Sequence, residues 1–576
     1  MSAMTPAATE DGAGWRVWGW VRWGQWLAVA VVIGFGLGAW WWGVPSSGEF
    51  GFAETLVQFG VLALYVVGVL LSLRWLATGA TIMAVTAVGV GALSAVQLHP
   101  LRGFMIALAL FVPAAMLWWA WRREHGLVAV STLAAGLVLL LAAGGVASDQ
   151  IFEYFYGPKA PVSETVALAL DDVEWIWTGG VTDESAVVVA RLADDEGEVG
   201  LQVTESDSAF PPTVQVAVQT PTDDPHVRRF DVSGLSPGRA YDYVVLVDGR
   251  EDSTRGRGQF TTPRRGPMTF TFTFGSCTRL DSNAATYDAI READPLFHLI
   301  GGDFFYGDIV DDSVSTFGVA YTRQMTPGAP AELLRDVPVA YMWDDHDYGP
   351  NDGDRTSPSR EAAWSAYRTY VPHHSLGSRE EAGPIYQAFS IGRTRFVLSD
   401  LRSERDPDTA PDGPDKTMLG DEQRDWLQRE LLRSSRSHQV VFWASSVPWI
   451  IDPSNAGDSW GAYAWEREEI SRFLDAHGID NVVMLAGDAH MVAADDGTHS
   501  NYADPERRGF PVLHAAPIDQ HTSIKGGPYS EGVVADPGQF GVVTVVDEGG
   551  RVRVRFEGRD AYGQVVLSYR WRAPRP

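Results

Sequence analysis

Residues 268–277, MTFTFTFGSC, and 296–306, LFHLIGGDFFY, decide the fold of this chain. Each is a short β-rich run that closes on small residues and then presents a group able to ligate or react: Cys277 after the first, Asp303 and Tyr306 after the second. Three further runs end the same way. VPVAYM leads into Trp343-Asp344-Asp345-His346-Asp347, RTRFVLS into Asp400-Leu401-Arg402, and NVVMLA into Gly487-Asp488-Ala489-His490. Helical patterns at 283–294, 360–371, 421–434 and 465–478 lie between these runs, and the last two open with acids suited to a helix N-terminus. Strands alternating with helices imply βαβ units around a buried sheet. Ligands bind outside the carboxyl ends of such strands. Carboxylates, imidazoles, a phenol and a thiol delivered repeatedly to that edge point to metal-assisted hydrolysis.

Taken singly, each cluster has a plainer reading. Asp303 with Tyr306 fits a bridging carboxylate and a phenolate for a hard cation, and equally a turn Asp with a core Tyr. Asp488 and His490, one residue apart, can point to one side of an extended loop, or form an Asx turn and a surface His. Cys277 is the single cysteine. It rules out an intramolecular disulfide and is either a buried small hydrophobe or a ligand. Three acids flank His346 within 344–347, and these would repel one another unless cations intervene. Arg402 can hold a phosphate oxygen bidentately or pair with an acid. His298, His373, His374, His514 and His521 stand outside paired motifs and read as structural or surface residues.

The net charge of −28 lies beyond residue 147, because residues 1–147 carry six Arg, no Lys and five acids. An acidic exterior argues against nucleic acid as a partner, and it requires local positive charge to capture an anionic substrate. Apolar runs at 25–44, 56–73, 78–97, 104–120 and 127–147 are each near the ~20 residues that cross a bilayer. Arg16, Arg22, Arg74, Arg122 and Arg123 against Arg102 place the N-terminus in the cytoplasm and everything after the fifth run outside. The expectation is a multi-pass region over 1–150 that serves as an anchor, since it holds almost no ionisable groups within its spans. Residues 160–265 alternate short β-rich pieces with turn-rich ones, the pattern of a β-sandwich. Within it, Leu235-Ser-Pro-Gly-Arg-Ala-Tyr241 has the form of the tyrosine corner of fibronectin type III-like domains.

FTFGSCTR, GDFFYGD, WDDHDYGPND, LSDLRSER, LGDEQRDWL, SSVPW and AGDAH, in this order, resemble the PhoD-like alkaline phosphatase family of metallophosphatases. The likeness covers about 162–576 and does not extend to the apolar runs. It implies a fibronectin III-like domain followed, over 268–576, by an α/β catalytic domain of four α-β-β-α layers. It further implies Fe3+ with Ca2+, held by Cys277, Asp303, Tyr306, Asp488 and His490. By similarity Asp345 takes a metal position, Asn351 a further calcium position, and His346 the phosphate-contacting position. Asp347 stands where relatives often have Glu. The expected activity is membrane-anchored extracytoplasmic hydrolysis of phosphoric esters, a metal-bound hydroxide attacking phosphorus while His346 and Arg402 handle the phosphate. The alternatives are a phospholipase or cell-envelope phosphodiesterase, and a non-catalytic membrane receptor with a degenerate metallophosphatase domain.

Overall fold

A computed structural model describes residue 25, residues 64–97, 110–121 and 152–161, and residues 172–574 except 196, 207–213, 217, 221, 253, 379–382 and 456. The chain divides into Met1–Phe155 and Tyr156–Pro576. In the first unit the helix Leu76–Gln97 buries Ala80, Met83, Ala84 and Ala87 together with Tyr65, Val69, Leu110, Ala114 and Leu117. Among the described residues no helix is long and apolar enough to cross a membrane. The expected spans at 25–44, Gln25 apart, and at 127–147 lie outside the described residues, and those at 56–73 and 104–120 are described only from 64 and from 110. The five-helix membrane region therefore finds no support in the described helices.

In the second unit the run FTFTFG forms the strand Phe270–Gly275. Its period of two places Phe270, Phe272 and Phe274 on one face. It lies within a ten-stranded sheet, parallel to His298–Gly301, which is parallel in turn to Val339–Met342. A second, seven-stranded sheet holds Thr394–Leu398, Val440–Ser445, Val482–Ala486 and Val512–Ala515 in parallel order. The two sheets pack face to face. Phe272 sits 5.1 Å, centroid to centroid, from both Phe396 and Phe442 of the second sheet, and edge-on to each, the arrangement aromatic quadrupoles favour.

Helices cover the outer faces. On the first sheet Trp177 and Tyr341 pack with Tyr321 of Val314–Met325 and Tyr367 of Arg360–Tyr370. On the second, Val397, Trp443 and Met484 pack with Leu427 and Leu431 of Gly420–Ser437 and with Ile470 and Leu474 of Ala464–His477. The layering is α-β-β-α. Asp421 and Glu422 occupy the first turn of Gly420–Ser437, where acids complement the helix dipole.

The segment upstream forms a sandwich, with Ile176, Val188 and Phe230 packed on Leu201, Val203, Tyr243 and Phe260. The tyrosine corner is present: Ser236 N–H donates to Tyr241 Oη at 2.8 Å. One of the two sandwich sheets is not separate from the catalytic sheet. The strand Val173–Gly179 pairs parallel to Val339–Met342 at Gly179 and Val339, so Ser185–Leu192, Val227–Ser233 and Val218–Thr220 extend the ten-stranded sheet.

Candidate metal centre

The carboxyl ends of the parallel strands in both sheets converge on one edge. The Gly-Asp dipeptides make that convergence possible. A Cβ on Gly302 would lie 2.6 Å from Asp344 Cβ, and one on Gly487 would lie 2.5 Å from Gly301 O across the two sheets. Directly after the strand ends, Cys277 (φ 65°), Asp303 (φ 53°) and Asp488 (φ 58°) adopt left-handed backbone conformations. Such conformations are uncommon for residues other than Gly and persist where surrounding structure over-determines them, typically at functional sites.

Asp303 is the shared member of two groups whose donor atoms lie within 4.8 Å of one another: Asp303, Asp345 and His346, and Asp303, Asp344 and Asp488. A third such group joins Asp344, Asp345 and Asp458. All of these side chains are buried or nearly so. Asp303 Oδ1, Asp344 Oδ2 and Asp488 Oδ2 are buried without a hydrogen-bond partner. Burial raises the carboxyl pKa of all three, and acidic neighbours add to the rise of each. Unpaired buried carboxylate oxygens are costly. Three clustered carboxylates that each keep one such oxygen fit bound cations, which would reverse the local preference for the protonated forms.

Cys277 and Tyr306 border this group. Cys277 Sγ is 3.5 Å from Asp303 Oδ2, and burial followed by Asp303 and Asp488 pushes its thiol pKa well up. Tyr306 Oη donates to His490 Nε2 at 3.0 Å. His490 Nδ1–H donates to His521 O at 2.5 Å. That bond fixes the ring and leaves Nε2 as the nitrogen able to ligate, the outer-shell arrangement common among metal-binding histidines.

His346 is held on both sides. Its ring stacks on Tyr306 at 3.8 Å, and its Nδ1–H donates to Asp308 Oδ1 at 2.6 Å. Burial opposes charge on this imidazole, but Asp345, Asp303 and Asp308 together raise its pKa well above the ordinary value.

The structure gives several residues of these clusters other partners. Arg402 is fully buried and does not face an open site. Its Nε donates to Asp344 Oδ1 at 2.7 Å, and Nη1 and Nη2 engage the two oxygens of Asp458 at 2.9 and 2.6 Å. Nη1 also reaches Gly353 O at 3.3 Å, so the guanidinium braces carboxylates rather than offering a fork to phosphate. Asp400 accepts from Trp343 Nε1, from the N–H groups of Ile385, Arg402 and Ser403, and from Ser403 Oγ, which makes it a loop brace. Asp347 accepts from Phe304 N, Tyr341 Oη and Asp344 N, and so ties the GDFFY and WDDHD loops together. Asn351 is half-buried in the following turn and, among the described contacts, makes none with the carboxylates. Its neighbour Asp352 donates its N–H to Asp345 Oδ2 at 2.6 Å.

Four residues escaped the sequence reading as site members. Asp344, passed over for Asp345, carries one of the unpartnered oxygens. Asp308 positions His346. Asp458, far along the loop that follows Val440–Ser445, holds Arg402 and also Arg405 at 2.5 Å. Lys525 Nζ donates to Asp488 Oδ1 at 2.5 Å. Asp344 and Asp308 left local signals, in the acid cluster after VPVAYM and in the second Asp of GDFFYGD.

Residues 272–533 match the family model described as PhoD-like phosphatase. Alkaline phosphatase D of Bacillus subtilis (strain 168) is 27% identical over 315 residues, which cover 46% of this chain and 53% of that protein. An uncharacterized protein of Mycobacterium tuberculosis (strain ATCC 25618 / H37Rv) is 24% identical over 288 residues, covering 45% and 49% respectively. The chain thus spans about half the length of the curated relatives it matches. The solved structure of PhoD superposes with a TM-score of 0.53 at 18% identity, over 72% of this chain and 94% of that one. Purple acid phosphatase PPD1 from yellow lupin seeds gives 0.51 at 12% identity, over 69% and 74%. At these identities the structural likeness is one of fold.

Proposed function

We propose that this chain is a metal-dependent phosphoric ester hydrolase of the alkaline phosphatase D type. The observation that carries the reading is the clustering of the Asp303, Asp344 and Asp488 carboxylates, each with one buried unpartnered oxygen, in a group that shares Asp303 with Asp345 and His346. Cys277, Asp303, Tyr306, Asp488 and His490 form one donor set, suited to a ferric ion, and Asp303 with Asp344 and Asp345 an oxygen-rich one, suited to calcium. Cations held there supply positive charge for the phosphoryl oxygens and acidify water near the phosphorus atom. The protein's own groups do the rest. Asp303 belongs to both donor sets and would contribute to holding both cations. His346, charged and oriented by Asp308, donates a hydrogen bond to the transferring group or a proton to the leaving oxygen. Tyr306 stacks on His346 and hydrogen-bonds His490, and so links the two imidazoles.

In this reading residues 1–150 form the membrane region, 160–265 the fibronectin III-like sandwich and 268–576 the catalytic domain. The five apolar runs and the distribution of Arg support anchoring with the site outside the cell, which favours lipid or cell-envelope esters. The test is hydrolysis of a phosphomonoester and a phosphodiester by the full chain, beside Asp303→Asn. Turnover by wild type that is lost in the variant supports the reading, and equal turnover by both sinks it.

A further inference from the structure

Charge at the site is unevenly committed. Arg402 and Arg405 are locked among Asp344, Asp345 and Asp458. Arg279 pairs with Asp519 and lies over the Tyr156 ring. Lys525 is different. It is one of three lysines in the chain, its side chain is 32% exposed, and its ammonium rests on one oxygen of Asp488. The other oxygen of that carboxylate is among those left unpartnered. The backbone around Lys525 is clamped while the long side chain is not. Tyr529 Oη donates to Lys525 O at 2.9 Å, and Gly527 N–H donates to Ile450 O at 2.8 Å. Gly526 (φ 73°) passes so close that a Cβ there would lie 2.1 Å from Ile450 O. A lysine is a compact point charge on a flexible stem, suited to moving between two anions, whereas an arginine fork is suited to staying.

Resting on the hydrolase reading above, we propose that Lys525 is the phosphate-binding cation of the site, held on Asp488 until a metal ion takes that carboxylate and then turned to the phosphoryl oxygens of the substrate. A dication at Asp488 repels an ammonium 2.5 Å away from the same carboxylate, and an arriving phosphate presents the compensating charge. The position satisfies a requirement of the whole chain, whose net charge of −28 repels an anionic ester at long range.

The test uses the full chain, wild type beside Lys525→Met and Lys525→Arg, each loaded with iron and calcium. Metal content per chain and the dissociation constant of inorganic phosphate are measured on the same samples. The expected result is metal content at or above wild type in K525M, with phosphate bound about tenfold or more weakly, the size of losing one charge-assisted contact, and partial recovery in K525R. Phosphate bound by metal-loaded K525M as by wild type overturns the proposal. So does loss of metal from K525M, which would make Lys525 a support for Asp488. If K525M does not fold, Lys525→Gln carries the same comparison. Wild type that binds both metals and no phosphate overturns the hydrolase reading itself, and this proposal with it.

Discussion

Replacing Arg402 with Met separates a brace from a phosphate ligand. Arg402 is fully buried, and its bonds of 2.6–2.9 Å go to Asp344 and Asp458. Removing one member of a buried ion pair costs about 3–5 kcal/mol, because the remaining charge stays buried without compensation. Here the remaining carboxylates are not wholly abandoned. Asp458 keeps Arg405 at 2.5 Å and Asp344 keeps Ser446 Oγ at 2.6 Å. The lower end, about 3 kcal/mol, is therefore expected. For a unit of about 420 residues that is a fall in Tm of roughly 3–4 °C, read by near-UV circular dichroism on metal-free protein so that metal binding does not mask it. Phosphate affinity of the metal-loaded variant should change less than its stability does. A variant that melts with wild type while binding phosphate at least tenfold more weakly would refute the reasoning and restore Arg402 to the substrate.

Asp308→Asn should lower kcat by about tenfold through misorientation of His346. It should also shift the activity profile: Asp308 helps to raise the His346 pKa, so its loss moves the alkaline limb, where the imidazolium deprotonates, to lower pH. In metal-free protein the raised carboxyl pKa values of Asp303 and Asp344 give a stability contribution that is full below the ordinary carboxyl range and lost as pH rises through the folded values. Tm of the chelator-treated chain should thus fall as pH rises above the ordinary carboxyl pKa of about 4, and saturating metal should abolish that fall; a flat profile without metal would contradict the carboxylate geometry. Gly302→Ala, forced against Asp344 Cβ at φ 105°, should cost roughly 2–4 kcal/mol and abolish metal uptake, as read by melting and metal content.

The strand-end clusters were legible because they are local: a period-two run such as FTFTFG announces a strand, and the Asp after its closing glycines sits at the edge where sites form. The layering followed from the same alternation. Local pattern could not say which of two adjacent acids, Asp344 or Asp345, keeps an unpartnered oxygen. The difference arises because Ser446 and Arg402 engage the same oxygen of Asp344, while Asp345 has the Asp352 N–H on one oxygen and Arg402 Nη2 3.5 Å from the other. Local pattern likewise could not choose between phosphate and an acid for Arg402, because Asp458 lies 56 residues away in a loop. Lys525 reaches Asp488 across 37 residues through a glycine turn that looks like any other in the sequence. The left-handed conformations of Cys277, Asp303 and Asp488 were also invisible, because they are imposed by two sheets meeting. The sandwich boundary was drawn at a composition change, whereas hydrogen bonding runs through it at Gly179 and Val339.

The most direct measurement on the central claim is anomalous X-ray scattering, at the iron edge and away from it, from crystals of the metal-saturated chain. The account predicts two cation peaks sharing Asp303, an iron peak beside Cys277, Tyr306 and His490 and a lighter one beside Asp344 and Asp345. Crystals from metal-saturated protein with no peak among these residues, or with peaks only elsewhere, would contradict it.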